Sequence, residues 1–376
     1  MAAEYEVQKV VSAKDKRDFI GFPRKLYRHC PYRVPWFVRD IKEILNKRHP
    51  FFTHSDGDFF MVKRNGIVSG RIFIFENKRY NQQHKCSSAH FYFFDCSNDA
   101  DSVSLLLDTC SDWSRGRNLA DITGPLQFGG TAGNGILVHG FTHTSAMTMM
   151  EYNYPYYSRL LEEYGFKPYL DYFSARIDPS QFRLPQKVKR ISEIVLKRGN
   201  FSIMNPSNKK ELKEAAEEIG NMYNETLGID HVENYKLSPE EVTRAAKDLL
   251  TVADPHLLKF IKYKGKIAGF LLAFPDLSKA IRRSKGNLYP WNILNLLLER
   301  GKTKSVIVNG AGIMPAYQRL GGNALLYSEL EKTISGKGYT HADLTQVAES
   351  TGLMLSDIKT LGGEIYKIHR VFRYPL

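Results

Sequence analysis

The spacing of apolar positions changes at regular intervals along the chain, and each change marks an expected element. Residues 14–29 alternate charged and apolar side chains at helical spacing, and CPYRVPWF follows as a proline-punctuated aromatic loop expected to lie across a domain surface. From Asp58 the pattern turns strand-like in DFFMVKRNG and IVSGRIFIFENKRY, with Asn65-Gly66 between them as a hairpin turn. HFYFFD adds a strand, residues 102–115 an amphipathic helix, and residues 121–123 a strand that opens a glycine-rich loop through Gly135. Strand-like Ile136-Leu137-Val138 comes next, then helical spacing from Tyr156 to Tyr164. Gly165 fits a C-cap, and alternation from Tyr169 to Ile177 closes the first half.

Residues 178–185 are polar and punctuated by proline, and QKVKRISEIVLKRG is a basic segment of helical period. Two domains are therefore expected, 1–180 and 201–376, joined by a linker over 181–200. The second domain opens with FSIMN and continues with helices over 209–226 and 238–252. The later of these helices starts at Ser238-Pro239-Glu240-Glu241, a serine N-cap, a first-turn proline and a glutamate that completes a capping box. Strands over 257–263 and 266–273 flank Lys264-Gly265, Pro275-Asp276 ends the second of them, and a helix is expected around Trp291 to Leu298.

The stretch SVIVNGAGIMPAYQRLGGNALLYSELEK reads as strand, glycine-rich turn and helix. In its turn, Gln318-Arg319-Leu320-Gly321-Gly322-Asn323, adjacent glycines allow positive φ and close approach of a ligand. The first NH groups of the following helix are left to bind an anion such as pyrophosphate. An ordinary strand-to-helix turn is the competing reading. The glycines at 129, 130 and 133 are followed by a strand rather than a helix start, so no second phosphate cradle is expected there. Downstream come a turn at Gly336 to Gly338, a strand over 342–347, a helix through Met354 and Ile358, and a closing strand EIYKIHRVF.

These residues resemble the GNAT superfamily of acyl-CoA-dependent N-acyltransferases, whose signature is Arg/Gln-x-x-Gly-x-Gly/Ala between a strand and a helix. Gln318-x-x-Gly321-x-Asn323 and Arg319-x-x-Gly322-x-Ala324 both touch the pattern, and the register stays open by one residue. The first half resembles a degenerate second copy that lacks the signature. RVPWF, HPFFTH, GILVHGF, NYPYYSRLLEEYGF, KIAGFLLAFPD, MPAYQRLGGNALL and YKIHRVF, in that order, resemble the tandem-GNAT branch related to bacterial ceramide synthases. The resemblance implies an α/β (α+β) fold of two GNAT-like domains, each a mixed central sheet flanked by helices.

The implied reaction moves an acyl group from a thioester to an amine, here that of a long-chain base. The alternatives are acetylation of a small amine, or an inactive scaffold that binds acyl-CoA. Acyl-CoA or acetyl-CoA is the implied co-substrate, held by Gln318, Arg319, Leu320, Gly321, Gly322, Asn323 and Ala324, with the backbone at Ile313 and Met314 pairing with the pantetheine arm like an added strand. Glu349 is the candidate base, in VAEST where the branch has an acidic residue followed by Asn; Thr351 replaces that Asn. Tyr366 is the reserve acid, since Ile358 stands where many relatives carry tyrosine. Asn153, Tyr156, Tyr157 and Asp276 are candidate substrate contacts.

Composition narrows the partners. Of 376 residues, 43% are hydrophobic and 25% charged, as in folded globular chains. A net charge of +13 points to a polyanionic partner: CoA phosphates, anionic lipid or nucleic acid. The basic residues are scattered and no RNA-binding signature accompanies them, so nucleic acid ranks last. Four cysteines without CxxC spacing indicate neither a metal site nor a disulfide framework, and no metal is expected. The N-terminus lacks an apolar signal region and no run reaches membrane-spanning length, so a cytoplasmic location is expected, with membrane association only peripheral, at the inner face.

Overall fold

A computed structural model describes residues 3–128, 132–204, 206, 210–211, 220, 222–226 and 234–376 of the chain. The expectations at glycines 129 and 130, and most of the helix expected over 209–226, lie outside the described residues. In chain order the first elements are β1 (Tyr5–Lys9), α1 (Ala13–Leu26), α2 (Val38–Leu45), β2 (Asp56–Arg64), β3 (Ile67–Glu76), α3 (Lys78–His84) and β4 (Ser88–Cys96). Next come α4 (Ala100–Arg115), β5 (Asp121–Gly124), β6 (Ile136–His139), α5 (Tyr156–Tyr164), β7 (Lys167–Ile177), α6 (Gln186–Lys197) and β8 (Phe201–Met204). Then follow α7 (Pro239–Val252), β9 (Leu258–Tyr263), β10 (Lys266–Pro275), α8 (Ser278–Ser284), α9 (Pro290–Lys302) and β11 (Ser305–Ile313). The chain ends with α10 (Gly322–Gly336), β12 (His341–Ala348), α11 (Gly352–Thr360) and β13 (Glu364–Pro375).

Local chemistry explains most of these boundaries. Asn65 and Gly66 both take positive φ, 50° and 75°, as a tight hairpin between right-twisted strands requires, and they join Arg64, the last residue of β2, to Ile67, the first of β3. Lys264 and Gly265 do the same between β9 and β10, with φ of 48° and 85°. At the start of α7, Ser238 Oγ accepts from the Glu241 NH at 3.2 Å while Glu241 Oε2 accepts from the Ser238 NH at 2.8 Å, the reciprocal capping box that the sequence predicts.

The described chain forms two compact units. One comprises Met1–Tyr172, Ser278–Leu296 and Lys367–Leu376; the other comprises Phe173–Leu277 and Leu297–Tyr366. The sheet of the first unit runs β1-β2-β3-β4-β5-β13, with β6 also paired to β13. Residues on β3 alternate between its two faces. Ile72 and Ile74 join Leu106 and Leu107 of α4 in one core, while Phe73 and Phe75 join Phe19, Phe51, Phe59 and Phe128 in an aromatic core on the other. Each such fully buried side chain contributes about 1.5–3 kcal/mol of apolar transfer free energy. The segment CPYRVPWF is an irregular, mostly half-buried loop laid over the first unit: Val34 is buried, and the half-buried Trp36 ring packs edge-on against Tyr92 and Phe93. Its prolines keep it irregular, while Tyr32 and Trp36 pack against the edges of the two cores.

The sheet of the second unit runs β12-β11-β10-β9-β8, antiparallel except for the β11/β12 pair. Leu325, Leu326 and Leu330 of α10 pack with Ile261, Leu271 and Val306 of its strands. No helix among the described residues is long and apolar enough to cross a membrane.

Candidate functional site

In the second unit β11 and β12 run parallel only over Ser305–Val308 and His341–Leu344. Beyond that point β11 continues to Ile313 on the edge of β10, its register slipping opposite Leu271 and Ala273, and Gly310 takes a φ of +109°. The two strands part, so the β11 edge toward β12 carries no ladder partner from residue 309 onward among the described residues.

The chain then makes the turn singled out in the sequence. Gln318 Nε2 donates to the Ile313 carbonyl at 3.2 Å, Arg319 adopts a φ of +61°, and Gly321 a φ of +88°. Gly321 is the N-cap of α10 and supplies no side-chain cap, so the first NH groups of that helix face outward at its positive end. A Cβ on Gly321 would stand 2.7 Å from Val195 Cγ2 and 3.0 Å from Ile191 Cγ2, because α6 lies over the turn. A Cβ on Gly322 would stand 2.7 Å from Ile261 Cδ1, inside the core.

A groove of about 510 Å³ opens beside this turn. Lys187, Ile191 and Arg198 line it from α6 and its C-terminal end, Arg319, Leu320 and Gly321 from the turn, Asn323, Ala324 and Tyr327 from α10, and Asp357 and Thr360 from α11. The Tyr327 hydroxyl donates to Asp357 Oδ2 at 2.7 Å and the Asn323 amide to the same oxygen at 3.4 Å. Burial, reinforced by the Asp357 carboxylate, raises the Tyr327 pKa well above that of a free phenol, so it remains a donor at neutral pH. Three cations and an uncapped helix start thus border one groove. Lys187 and Arg198 are not singled out as site residues by the sequence, although the basic character of their segment is visible there; Tyr327 and Asp357 carry no signal beyond helical spacing.

The other candidates fall in different places. The Met314 NH donates to the Ala268 carbonyl at 2.9 Å, and the Ile313 carbonyl accepts from Gln318, which leaves the open strand edge upstream, at residues 309–312. Glu349 sits exposed in the turn after β12, and Thr351 Oγ1 donates to the Ala348 carbonyl beside it. Tyr366 is buried, with the Arg176 guanidinium 4.4 Å above its ring and Arg176 in turn 3.2 Å from Asp343. Burial, and then Asp343, push the Tyr366 pKa well above its ordinary value. Asp343 lies six residues before Glu349, roughly 20 Å along a strand, so Tyr366 and Glu349 are not neighbours. Asp276 donates its NH to the Ser305 carbonyl at the far end of β11, roughly 26 Å of strand from Ile313.

Asn153, Tyr156 and Tyr157 have their polar atoms committed within the first unit. Asn153 brackets β6, accepting from the Leu137 NH at 2.6 Å and donating to the Leu137 carbonyl at 3.1 Å. Tyr156 donates to the Cys96 carbonyl at 2.7 Å; Tyr157, fully buried, shares a 2.6 Å hydrogen bond with Tyr27 and accepts from the Cys96 NH.

The first unit repeats the parting of strands. Its β4 and β5 run parallel only over Ser88–His90 and Asp121–Thr123, and Phe93, five residues into β4 as Gly310 is into β11, takes a φ of +49°. Here the gap is filled. Arg71 bonds Asp95 at 2.6 Å, Trp36 donates to Glu151, and Arg33 lies among them, leaving a cavity of about 30 Å³, room for little more than one water.

Comparison with known proteins gives the class. No family model matches the chain. Among solved structures, a tandem GNAT protein from the clavulanic acid biosynthesis pathway matches 100% of this chain and 98% of its own with a TM-score of 0.56 at 10% identity. A GCN5-related N-acetyltransferase from Sphaerobacter thermophilus matches 99% and 95% with a TM-score of 0.51 at 11% identity. The chain has the tandem GNAT fold. In sequence it is similar to the bacterial ceramide synthase of Caulobacter vibrioides (strain NA1000 / CB15N), 25% identical over 100% of this chain and 98% of that protein. It is also similar to protein YghO of Escherichia coli (strain K12), 22% identical over 97% of this chain and 94% of that one.

Proposed function

We propose that the protein transfers an acyl group from acyl-CoA to the amine of a long-chain base, with the CoA pyrophosphate held at the turn from Gln318 to Ala324. The observation that carries this reading is the left-handed Gly321 at the uncapped start of α10, opening on a groove that Lys187, Arg198 and Arg319 border. The parted β11 edge offers backbone groups to the pantetheine arm, as an added strand would be held. The full-length relative named for ceramide synthesis supports a lipid amine as acceptor.

The amine attacks the thioester carbonyl only as a free base, so its ammonium must first lose a proton; the C–N bond then forms and the thiolate leaves. Glu349, exposed at the end of β12, is the candidate to receive that proton. Tyr366, buried against Arg176 and held protonated, stands away from Glu349 and is not assigned the proton transfer to the thiolate. Release of free thiol from acyl-CoAs of graded length, measured against a panel of amines, tests the reaction. Sphinganine-like bases with long acyl-CoAs are expected to be turned over fastest; faster turnover of acetyl-CoA with short polyamines replaces this acceptor by a small amine. Reversing one charge at the turn, Arg319→Glu, is expected to weaken CoA binding about tenfold or more in titration calorimetry, since a charge-assisted contact contributes about 1.5–3 kcal/mol. Unchanged CoA affinity removes the pyrophosphate site from this turn.

A further inference from the structure

The helix α9 is turned inside out. Tyr289, just before it, and Trp291, Ile293, Leu294, Leu297 and Leu298 within it are all exposed, Trp291 to 63% and Leu297 to 58%. Its polar Asn292 is the buried residue and donates to the Asn287 carbonyl at 3.1 Å. At about 100° per residue, Leu294, Leu297, Leu298 and Trp291 form one continuous stripe, with Ile293 at its margin and Arg300 and Lys302 on its two borders. Between residues 279 and 304 the chain carries seven Lys or Arg and a single acidic residue, Glu299. The Tyr289 and Trp291 rings stack at 5.0 Å at one end of the stripe.

We infer that α9 docks the protein on an anionic lipid surface, lying in the plane of the interface with its apolar stripe among the acyl chains. An exposed apolar helix face rimmed by cations and opened by a Trp/Tyr pair has the composition of an interfacial helix, the basic side chains reaching back to lipid phosphates. The charge selects the occupant. A second copy of the same chain would bring this basic rim against its like, whereas an anionic bilayer complements it. The inference rests on the lipid-acceptor reading for its purpose, since a long-chain base is drawn from a membrane, but docking is measured without any acyl transfer.

The test is sedimentation of the full chain with vesicles of phosphatidylglycerol and, separately, of phosphatidylcholine, read together with tryptophan fluorescence. Binding is expected to the anionic vesicles, weakened by salt, with a blue shift that disappears in Trp291→Phe. The double variant Leu294→Glu/Leu297→Glu is expected to lose at least about tenfold in vesicle partitioning. The milder Leu298→Gln should lose less, and circular dichroism confirms that both remain folded. Absence of binding to anionic vesicles, or equal binding by the folded double variant, overturns the inference. So does self-association of the wild type that the double variant abolishes while neither binds vesicles. If docking fails while turnover of a detergent-dispersed long-chain base persists in the double variant, the enzymatic reading stands alone; if docking holds without any thiol release, the enzymatic reading is the one that falls.

Discussion

Two buried histidines contribute to the response of the first unit to acid. His90 on β4 and His369 on β13 are both driven down to a pKa of about 3, chiefly by burial, and His369 Nε2 donates to the Glu151 carbonyl at 2.9 Å. Their unfolded values lie near 6.5, so below that pH the unfolded chain binds protons the native chain refuses. Their contribution to stability is complete above about pH 6.5 and is lost progressively as pH falls toward 3, at about 1.4 kcal/mol per pH unit for each fully neutral histidine. Thermal melts at pH 7 and pH 5 are expected to show destabilisation at the lower pH. The change should be smaller in His90→Phe, whose ring suits the Tyr80 and Phe75 aromatic surroundings. An equal pH response in that variant rules His90 out as a contributor.

Among the elements, α7 shows how far a short motif reaches. Ser238 and Glu241 satisfy each other's NH groups, and the Tyr235 hydroxyl donates to Glu241 Oε1 at 2.6 Å, so the box is itself buried and hydrogen-bonded. Ser238→Ala is expected to cost about 1–2 kcal/mol in urea unfolding, at the upper end for an N-cap because the abandoned Glu241 NH has little water to turn to. A loss under about 0.3 kcal/mol would show that the helix is held by its packing alone. The helix α10 makes the opposite use of its start: it keeps its first turn uncapped, with a glycine in the left-handed region where a side-chain cap would stand.

For the whole molecule, the two units share the parting of parallel strands but use it differently. In the first, the Arg71–Asp95 pair, Trp36 and Glu151 occupy the gap; in the second, the edge of β11 is open and a cationic groove flanks the next helix. The start of α4, which follows β4, is also acidic, with Asp99 at its N-cap and Asp101 in its first turn, and these carboxylates repel a phosphate. Titration calorimetry is therefore expected to give one CoA per chain, and a second site of comparable affinity would contradict the reading of the first unit as plugged.

The residues themselves determine whatever depends on near neighbours. The Asn65-Gly66 and Lys264-Gly265 hairpins, the Ser238 capping box, the Gly165 C-cap at a φ of +118° and the glycine turn before α10 are settled by φ preferences and by donors within a few residues, so they are legible in the chain. Tertiary structure decides whatever depends on which surface packs where. The apolar spacing of α9 is that of an ordinary core helix, and the fold instead buries Asn292 and leaves Trp291, Leu294, Leu297 and Leu298 exposed. Tyr157 and Asn153 are candidate substrate contacts in the sequence, and the partners their polar atoms take, Tyr27 and Leu137, stand 130 and 16 residues away. α6 reads as a basic linker, and its place over the Gly321 turn comes from packing of Ile191 and Val195 that no local pattern encodes. Hydrophobic spacing fixes that a face will be apolar; the rest of the fold fixes what that face meets.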